Sequence, residues 1–93
     1  DPFNLEIKIS EFVSPNGDGI NDFFEIQNIE NHSNNELVIY TRSGVVIFST
    51  RNYRNNWSGT TDNGLVPEGS YYFTLDLEGD GTLDRQGWIY ISR

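Results

Sequence analysis

The stretch Gly69-Ser70-Tyr71-Tyr72-Phe73-Thr74-Leu75-Asp76-Leu77-Glu78-Gly79-Asp80-Gly81-Thr82 settles the fold class. From Gly69 onward, Tyr71, Phe73, Leu75 and Leu77 fall on one side of an extended chain, while Thr74, Asp76 and Glu78 fall on the other. An alternation of period two is the signature of a half-buried strand, not of a helix. The Gly/Asp-rich run 78–82 then reads as a hairpin that returns the chain to a last strand, residues 87–92.

Working outward, the same period recurs. Leu5, Ile7 and Ile9 alternate with Glu6 and Lys8, and after a Gly/Asn-rich loop Phe24 and Ile26 share one face with Phe23 and Glu25 on the other. Leu37 and Ile39 alternate with Val38 and Tyr40 before Arg42-Ser43-Gly44, and Val46 and Phe48 follow it, which predicts a second hairpin. Residues 52–69 read as loop with one short strand, and Trp57 is expected to fold over the sheet as an apolar lid. Nine Ile, five Val and six Thr with thirteen aromatic residues, and no Ala or Met, favour strands over helices. Short strands at turn-punctuated spacing predict an all-β, immunoglobulin-like antiparallel β-sandwich of about seven strands, forming a single domain over residues 1–93.

Charge and composition exclude several roles. Six Lys/Arg against fourteen Asp/Glu leave a net charge of −8. A nucleic-acid partner requires clustered basic residues, whereas this chain has Lys8 and five scattered Arg. No apolar run approaches membrane-spanning length, so direct membrane insertion is not expected. Without Cys there is neither a disulfide nor a thiolate metal site. Asp1-Pro2-Phe3-Asn4 lacks the basic and apolar regions of a signal peptide, so the expectation for an exported protein is a leader upstream of these residues.

The segment Ser14-Pro15-Asn16-Gly17-Asp18-Gly19-Ile20-Asn21-Asp22 places oxygen-bearing side chains at alternate positions, with glycines that let the backbone wrap tightly. Hard cations take six to eight oxygens. Laid on a calcium-loop pattern, Ser14 holds the first position, Asn16 the third, Asp18 the fifth, Ile20 the carbonyl position, Asp22 the ninth and Glu25 the last. Ser in place of Asp at the first position removes a formal charge, and the flanking elements read as strands. Two readings stand side by side: bound calcium of modest affinity, or a turn in which Asn and Asp hydrogen-bond their own backbone. A second acidic stretch, Asp76, Glu78, Asp80 and Asp84, alternates similarly but has Gly87 at the twelfth position and reads as a solvated hairpin. Like charges this close repel, which calls for a cation or a raised carboxyl pKa to relieve them.

For catalysis the chain offers little. His32 lies in a polar loop, no Cys nucleophile or Gly-x-Ser-x-Gly elbow exists, and no phosphate-cradling loop with Lys is present. A domain of this size leaves little room for the cleft that a carboxylate pair of a glycosidase needs. The chain therefore reads as no enzyme. Tyr40, Tyr53, Trp57, Tyr71, Tyr72, Trp88 and Tyr90 form either a sugar-stacking platform or core and half-buried strand positions.

Five motifs fall in order: residues 12–24 around Ser-Pro-Asn-Gly-Asp-Gly-Ile-Asn-Asp, residues 38–46 around Tyr-Thr-Arg-Ser-Gly, Asn56-Trp57-Ser58-Gly59, Pro67-Glu68-Gly69-Ser70-Tyr71-Tyr72-Phe73, and the closing Gly87-Trp88-Ile89-Tyr90-Ile91-Ser92-Arg93. Together they resemble the gliding-motility-associated C-terminal domain of Bacteroidota, the type B sorting domain of type IX secretion cargo. The family usually carries Asn-Arg-Trp-Gly in the central hairpin, where this chain has Thr41-Arg42-Ser43-Gly44. The resemblance implies a non-catalytic address on a covalently attached upstream cargo, an adhesin or secreted enzyme. It further implies transport through the periplasm to the outer-membrane surface or the medium. The implied partner is the type IX outer-membrane machinery, with a SprF/PorP-like outer-membrane protein as the dedicated reader. Arg42 and Arg93 are candidate contacts for an acidic partner surface. The rival expectation is a calcium-dependent extracellular adhesive or carbohydrate-binding Ig-like module.

Overall fold

The computed structural model describes residues 7–14, 22–61 and 64–92. Nine strand segments are present among them: β1 (Lys8–Ile9), β2 (Phe12–Val13), β3 (Ile26–Gln27), β4 (Glu36–Tyr40), β5 (Val46–Arg51), β6 (Thr60–Thr61), β7 (Gly64–Leu65), β8 (Gly69–Asp76) and β9 (Arg85–Ile91). A single 3-10 turn, Ile29–Asn31, is the helical element of the described residues. The all-β sandwich expected from the sequence is borne out. The count exceeds seven because the loops contribute two-residue pairs, β1 with β3 and β6 with β7, and residues 52–69 hold two short strands in place of one.

The main layer is a five-stranded sheet in the order β2-β9-β8-β4-β5. Strands β9, β8, β4 and β5 pair antiparallel, whereas β2 pairs parallel to β9, with Phe12 opposite Tyr90 and Val13 opposite Ile91. That parallel pair departs from the otherwise antiparallel pairing the sequence predicts. No tight turn joins β2 to β9, so nothing imposes the antiparallel direction on them.

Register decides which side chains are buried. On the inner face Phe73 lies between Ile39 and Gly87, Leu75 faces Leu37, and Tyr71 faces Ile89. All of these except Gly87 are buried, as are Val13 and Ile91. Gly87 leaves room for a ring: a Cβ there would stand 3.2 Å from Phe73. The opposite layer is mostly irregular backbone carrying large side chains. Phe24, Ile26, Ile29, Tyr53, Trp57 and Val66 complete the core, with Phe24 5.3 Å from Phe73 between ring centroids and Trp57 5.8 Å from Phe48. Phe24 and Ile26 point inward with Phe23 and Glu25 outside, as their alternation predicts, although the strand itself shortens to β3. Trp57 is the lid its sequence context suggested, 2% exposed.

Irregular backbone can form a layer only if its polar groups are paired. Tyr53 does much of that. Its hydroxyl donates to the Phe24 carbonyl at 2.6 Å and accepts from the Trp57 N–H at 3.0 Å. Buried Asn35 accepts from the Tyr53 N–H at 3.0 Å and donates its amide to the His32 carbonyl at 2.7 Å. The indole N–H of Trp57 donates to the Thr60 carbonyl at 2.8 Å. Tyr71 donates its hydroxyl to the carbonyl of Pro67, four residues upstream, the arrangement known from sandwich domains as a tyrosine corner.

Candidate recognition surface

The strands that bury Tyr71, Phe73, Leu75, Ile89 and Ile91 turn their alternate residues to solvent, and those residues are also aromatic. Tyr40 stands opposite Tyr72, and Tyr72 opposite Trp88, on the outer face of β4, β8 and β9. Tyr72 and Trp88 meet edge-to-face at 5.2 Å, and Tyr40 and Tyr72 lie 6.3 Å apart. At the sheet's β2 side, Phe12 and Tyr90 stack at 5.9 Å. Phe12, Trp88 and Tyr90 are 42%, 52% and 45% exposed, so these rings face outward from the sheet. Polar groups are interleaved with it: the Tyr72 hydroxyl donates to Gln86 Oε1 at 3.0 Å, and Tyr40 Oη lies 3.5 Å from Thr74 Oγ1.

Exposed Arg42 belongs to this surface. It sits in the turn between β4 and β5, which closes on the Thr41 N–H donating to the Val45 carbonyl at 2.8 Å and the Val45 N–H donating to Thr41 Oγ1 at 3.1 Å. Gly44, at φ 94°, supplies the left-handed residue of the turn. With Tyr40, Tyr72, Thr74 and Trp88, Arg42 lines a shallow cavity of about 310 Å³. The seven aromatics considered from sequence thus divide: Tyr53, Trp57 and Tyr71 are core, and Tyr40, Tyr72, Trp88 and Tyr90 form the outer row. Parity alone points to Trp88 and Tyr90, since they alternate with the β-branched Ile89 and Ile91.

The proposed calcium loop is only partly within view. Ser14 and Asp22 are half-buried, each already engaged within the fold, and Glu25 is exposed, its backbone carbonyl accepting from the Ser10 N–H at 2.9 Å. Asn16, Asp18 and Ile20 lie outside the described residues, as does Arg93. Among the described residues no group of three or more His, Asp or Glu is placed to hold a metal ion.

In the second acidic stretch Glu78, Asp80 and Asp84 are exposed, as a solvated hairpin predicts, and Asp76 alone departs from that expectation. Asp76 is 3% exposed, and its carboxylate is wrapped by the backbone that follows it. Oδ1 accepts from the N–H groups of Glu78, Gly79 and Asp80 at 3.1, 2.8 and 3.3 Å, and Oδ2 from that of Gly81 at 2.7 Å. Desolvation pushes the Asp76 carboxyl up, but the four N–H donors together outweigh it and hold the group below its ordinary value. At Asp76 the backbone donors stabilise the charged form, and the carboxyl pKa is lowered, not raised. Gly79 is essential to the wrap: its φ is 67°, and a Cβ there would stand 2.5 Å from the Asn34 carbonyl oxygen. Beside it, His32 Nδ1 approaches Glu78 Oε1 at 3.3 Å on the surface.

An exposed aromatic row with an exposed arginine in the adjoining turn makes a surface suited to contact. Residues 7–91 match the family model of the CHU_C type IX secretion signal domain. The chain belongs to that family. Comparison with curated proteins and with solved structures yields no match. The match spans every described strand, from β1 to β9, and agrees with the resemblance carried by its motifs. A type IX secretion signal domain is a non-catalytic sorting module. It implies an encounter with the type IX secretion machinery and export to the cell surface or the medium.

Proposed function

We propose that this domain is the address of a covalently attached upstream cargo, an adhesin or secreted enzyme, and that it is read in its folded form. The observation that carries the reading is the family match over residues 7–91. The cargo crosses the periplasm, and a SprF/PorP-like outer-membrane protein reads the domain by shape and hydrogen bonding, with no bond made or broken in the domain itself. Calcium at Ser14, Asn16, Asp18, Ile20, Asp22 and Glu25 would bind only the folded form and so stabilise it. In that case the melting midpoint falls on chelation in the wild type but not in the double variant Asp18→Ala, Asp22→Ala; equal midpoints with and without calcium remove the metal from the account.

The deciding experiment fuses residues 1–93 to the C-terminus of a periplasmic reporter in a host carrying the secretion system and the cognate barrel. The reporter is expected outside the cell, and its retention in the periplasm contradicts the assignment.

The aromatic row supports a second reading, a carbohydrate-binding module, because exposed Tyr and Trp rings present apolar faces beside polar groups. Trp57 is buried and takes no part in it. Glycan-array binding abolished by Trp88→Ala favours this reading, and an empty array removes it.

A further inference from the structure

The five-stranded sheet ends in two edges of very different character. At one edge stands β2, two residues long. At the other stands β5, six residues long, and among the described residues no strand pairs with its outer side. A long edge strand presents unpaired N–H and C=O groups, and proteins usually guard one with Lys, Pro or a cover. Residues 46–50, Val-Ile-Phe-Ser-Thr, contain neither charge nor proline. A bulge between the Ile39–Phe48 and Tyr40–Val46 pairs, at Ile47, bends the start of the strand and leaves 48–51 as its regular part.

Beside this edge runs a groove of about 840 Å³, bounded by 45–50 on one side and by Asn56, Trp57, Thr60 and Thr61 on the other. Among the described residues, no Asp or Glu lines it. The rim is different. Three of the chain's six Lys/Arg stand at the ends of β5: Arg42 in the preceding turn, Arg51 at the last residue and Arg54 just beyond, all exposed. Arg51 Nε lies 3.8 Å from Glu36 Oε2, an open surface pair. In a chain of net charge −8, this is a basic frame around a slot whose described lining residues carry no charge.

We propose that β5 is the docking edge of the signal domain. An extended segment of the export machinery, uncharged at its centre and flanked by carboxylates, adds to 48–51 as a sixth strand and fills the groove. Backbone hydrogen bonds supply affinity, the groove accepts alternate side chains, and the three arginines fix the register on the acidic flanks. A second copy of this chain is a poor occupant: an antiparallel β5–β5 pair sets each Arg51 beside the other copy's 42–46 turn with its Arg42, and brings two charges of −8 together. The inference rests on the secretion-signal reading and names the surface through which it operates.

The reporter fusion tests both and separates them. Consecutive strand residues turn their N–H groups to opposite edges, so one of Ser49→Pro and Thr50→Pro removes an outward donor and spares the β4 pairing. The variant that keeps the wild-type melting midpoint is expected to lower reporter export at least tenfold, as is the triple variant Arg42→Glu, Arg51→Glu, Arg54→Glu. Because the chain has no Cys, Ser49→Cys gives a single thiol for a photo-cross-linker even if neither proline variant folds. Its adduct is expected on an extended segment of a secretion-machinery component identified by mass spectrometry, while the adduct of Gln86→Cys on the outer face is not. Export of the intact fusion with equal export of the folded proline variant, or capture from Gln86→Cys and not Ser49→Cys, overturns the docking edge and leaves the signal reading standing. An intact fusion that stays in the periplasm overturns both.

Discussion

The two faces of β8 and β9 are built from the same residue types and do opposite work. Inward, Tyr71, Phe73 and Leu75 pack against Ile89 and Ile91 and are closed off by Phe24, Tyr53 and Trp57. Outward, Tyr72 and Trp88 meet edge-to-face, Tyr90 stacks on Phe12, and Trp88 and Tyr90 stay about half exposed. Aromatic residues on a strand therefore do not by themselves mark core. What separates the faces is whether a second layer exists to cover them. In this domain that layer is largely irregular backbone held by side-chain hydrogen bonds.

Substitutions on the two faces should separate accordingly. Phe73→Ala removes the ring that touches Phe24 and fills the space over Gly87, and should cost about 3–5 kcal/mol in chemical denaturation. A loss below about 1 kcal/mol would mean that the inner face is not the core.

Tyr53→Phe keeps the ring and deletes the hydroxyl that joins Phe24 to Trp57. A cost of about 1–3 kcal/mol is expected, because a buried carbonyl and a buried N–H both lose their partner. The same residue sets an alkaline limit. Burial pushes the Tyr53 hydroxyl well above its ordinary value; the Trp57 N–H works against this and the nearby Glu25 charge adds to it. A raised folded-state pKa leaves stability intact below the unfolded value of about 10 and erodes it as the pH climbs beyond. Melting midpoints measured from pH 8 to 11 should fall for the wild type and fall less for Tyr53→Phe.

Asp76→Asn probes the end of the strand, where an outward position has been drawn inside. The wild-type carboxyl is held below its usual value, so its contribution is complete above the unfolded-state pKa of about 3.9 and fades as the pH drops through the lower folded-state value. The variant should melt below wild type at pH 7, with the gap narrowing below pH 4. A gap that is the same at both pH values would place the effect in packing instead of charge.

Trp88→Ala should have the smallest effect on stability, under about 1 kcal/mol, since half the side chain already faces water. A loss as large as that of Phe73→Ala would erase the distinction between the faces.

Much of this contrast was legible in the chain. The alternation of Tyr71, Phe73 and Leu75, of Leu37 and Ile39, and of Phe24 and Ile26 set both the strands and their buried sides, because a period of two is a local property. The family, too, could be read from the order of the motifs. Long-range features could not. The parallel pairing of β2 with β9, the position of β5 at the edge and the groove beside it depend on which strands meet, which no local pattern encodes. Asp76 was misread for a related reason: its alternation promised solvent, yet the positive φ of Gly79 and Gly81 curls four N–H groups onto its carboxylate. For the calcium loop, Asn16, Asp18 and Ile20 fall outside the described residues, so its expectation stands as read from the sequence.

The central claim is that the export machinery inspects a folded surface rather than a linear motif. The direct measurement is the fraction of reporter reaching the medium when its tail carries Leu75→Asp, a charge placed at a fully buried position that leaves every residue of the outer face and of β5 unchanged. With loss of fold verified by circular dichroism, the reporter should remain in the cell while the intact fusion is exported. Equal export of the two would show that the machinery reads the chain without its fold.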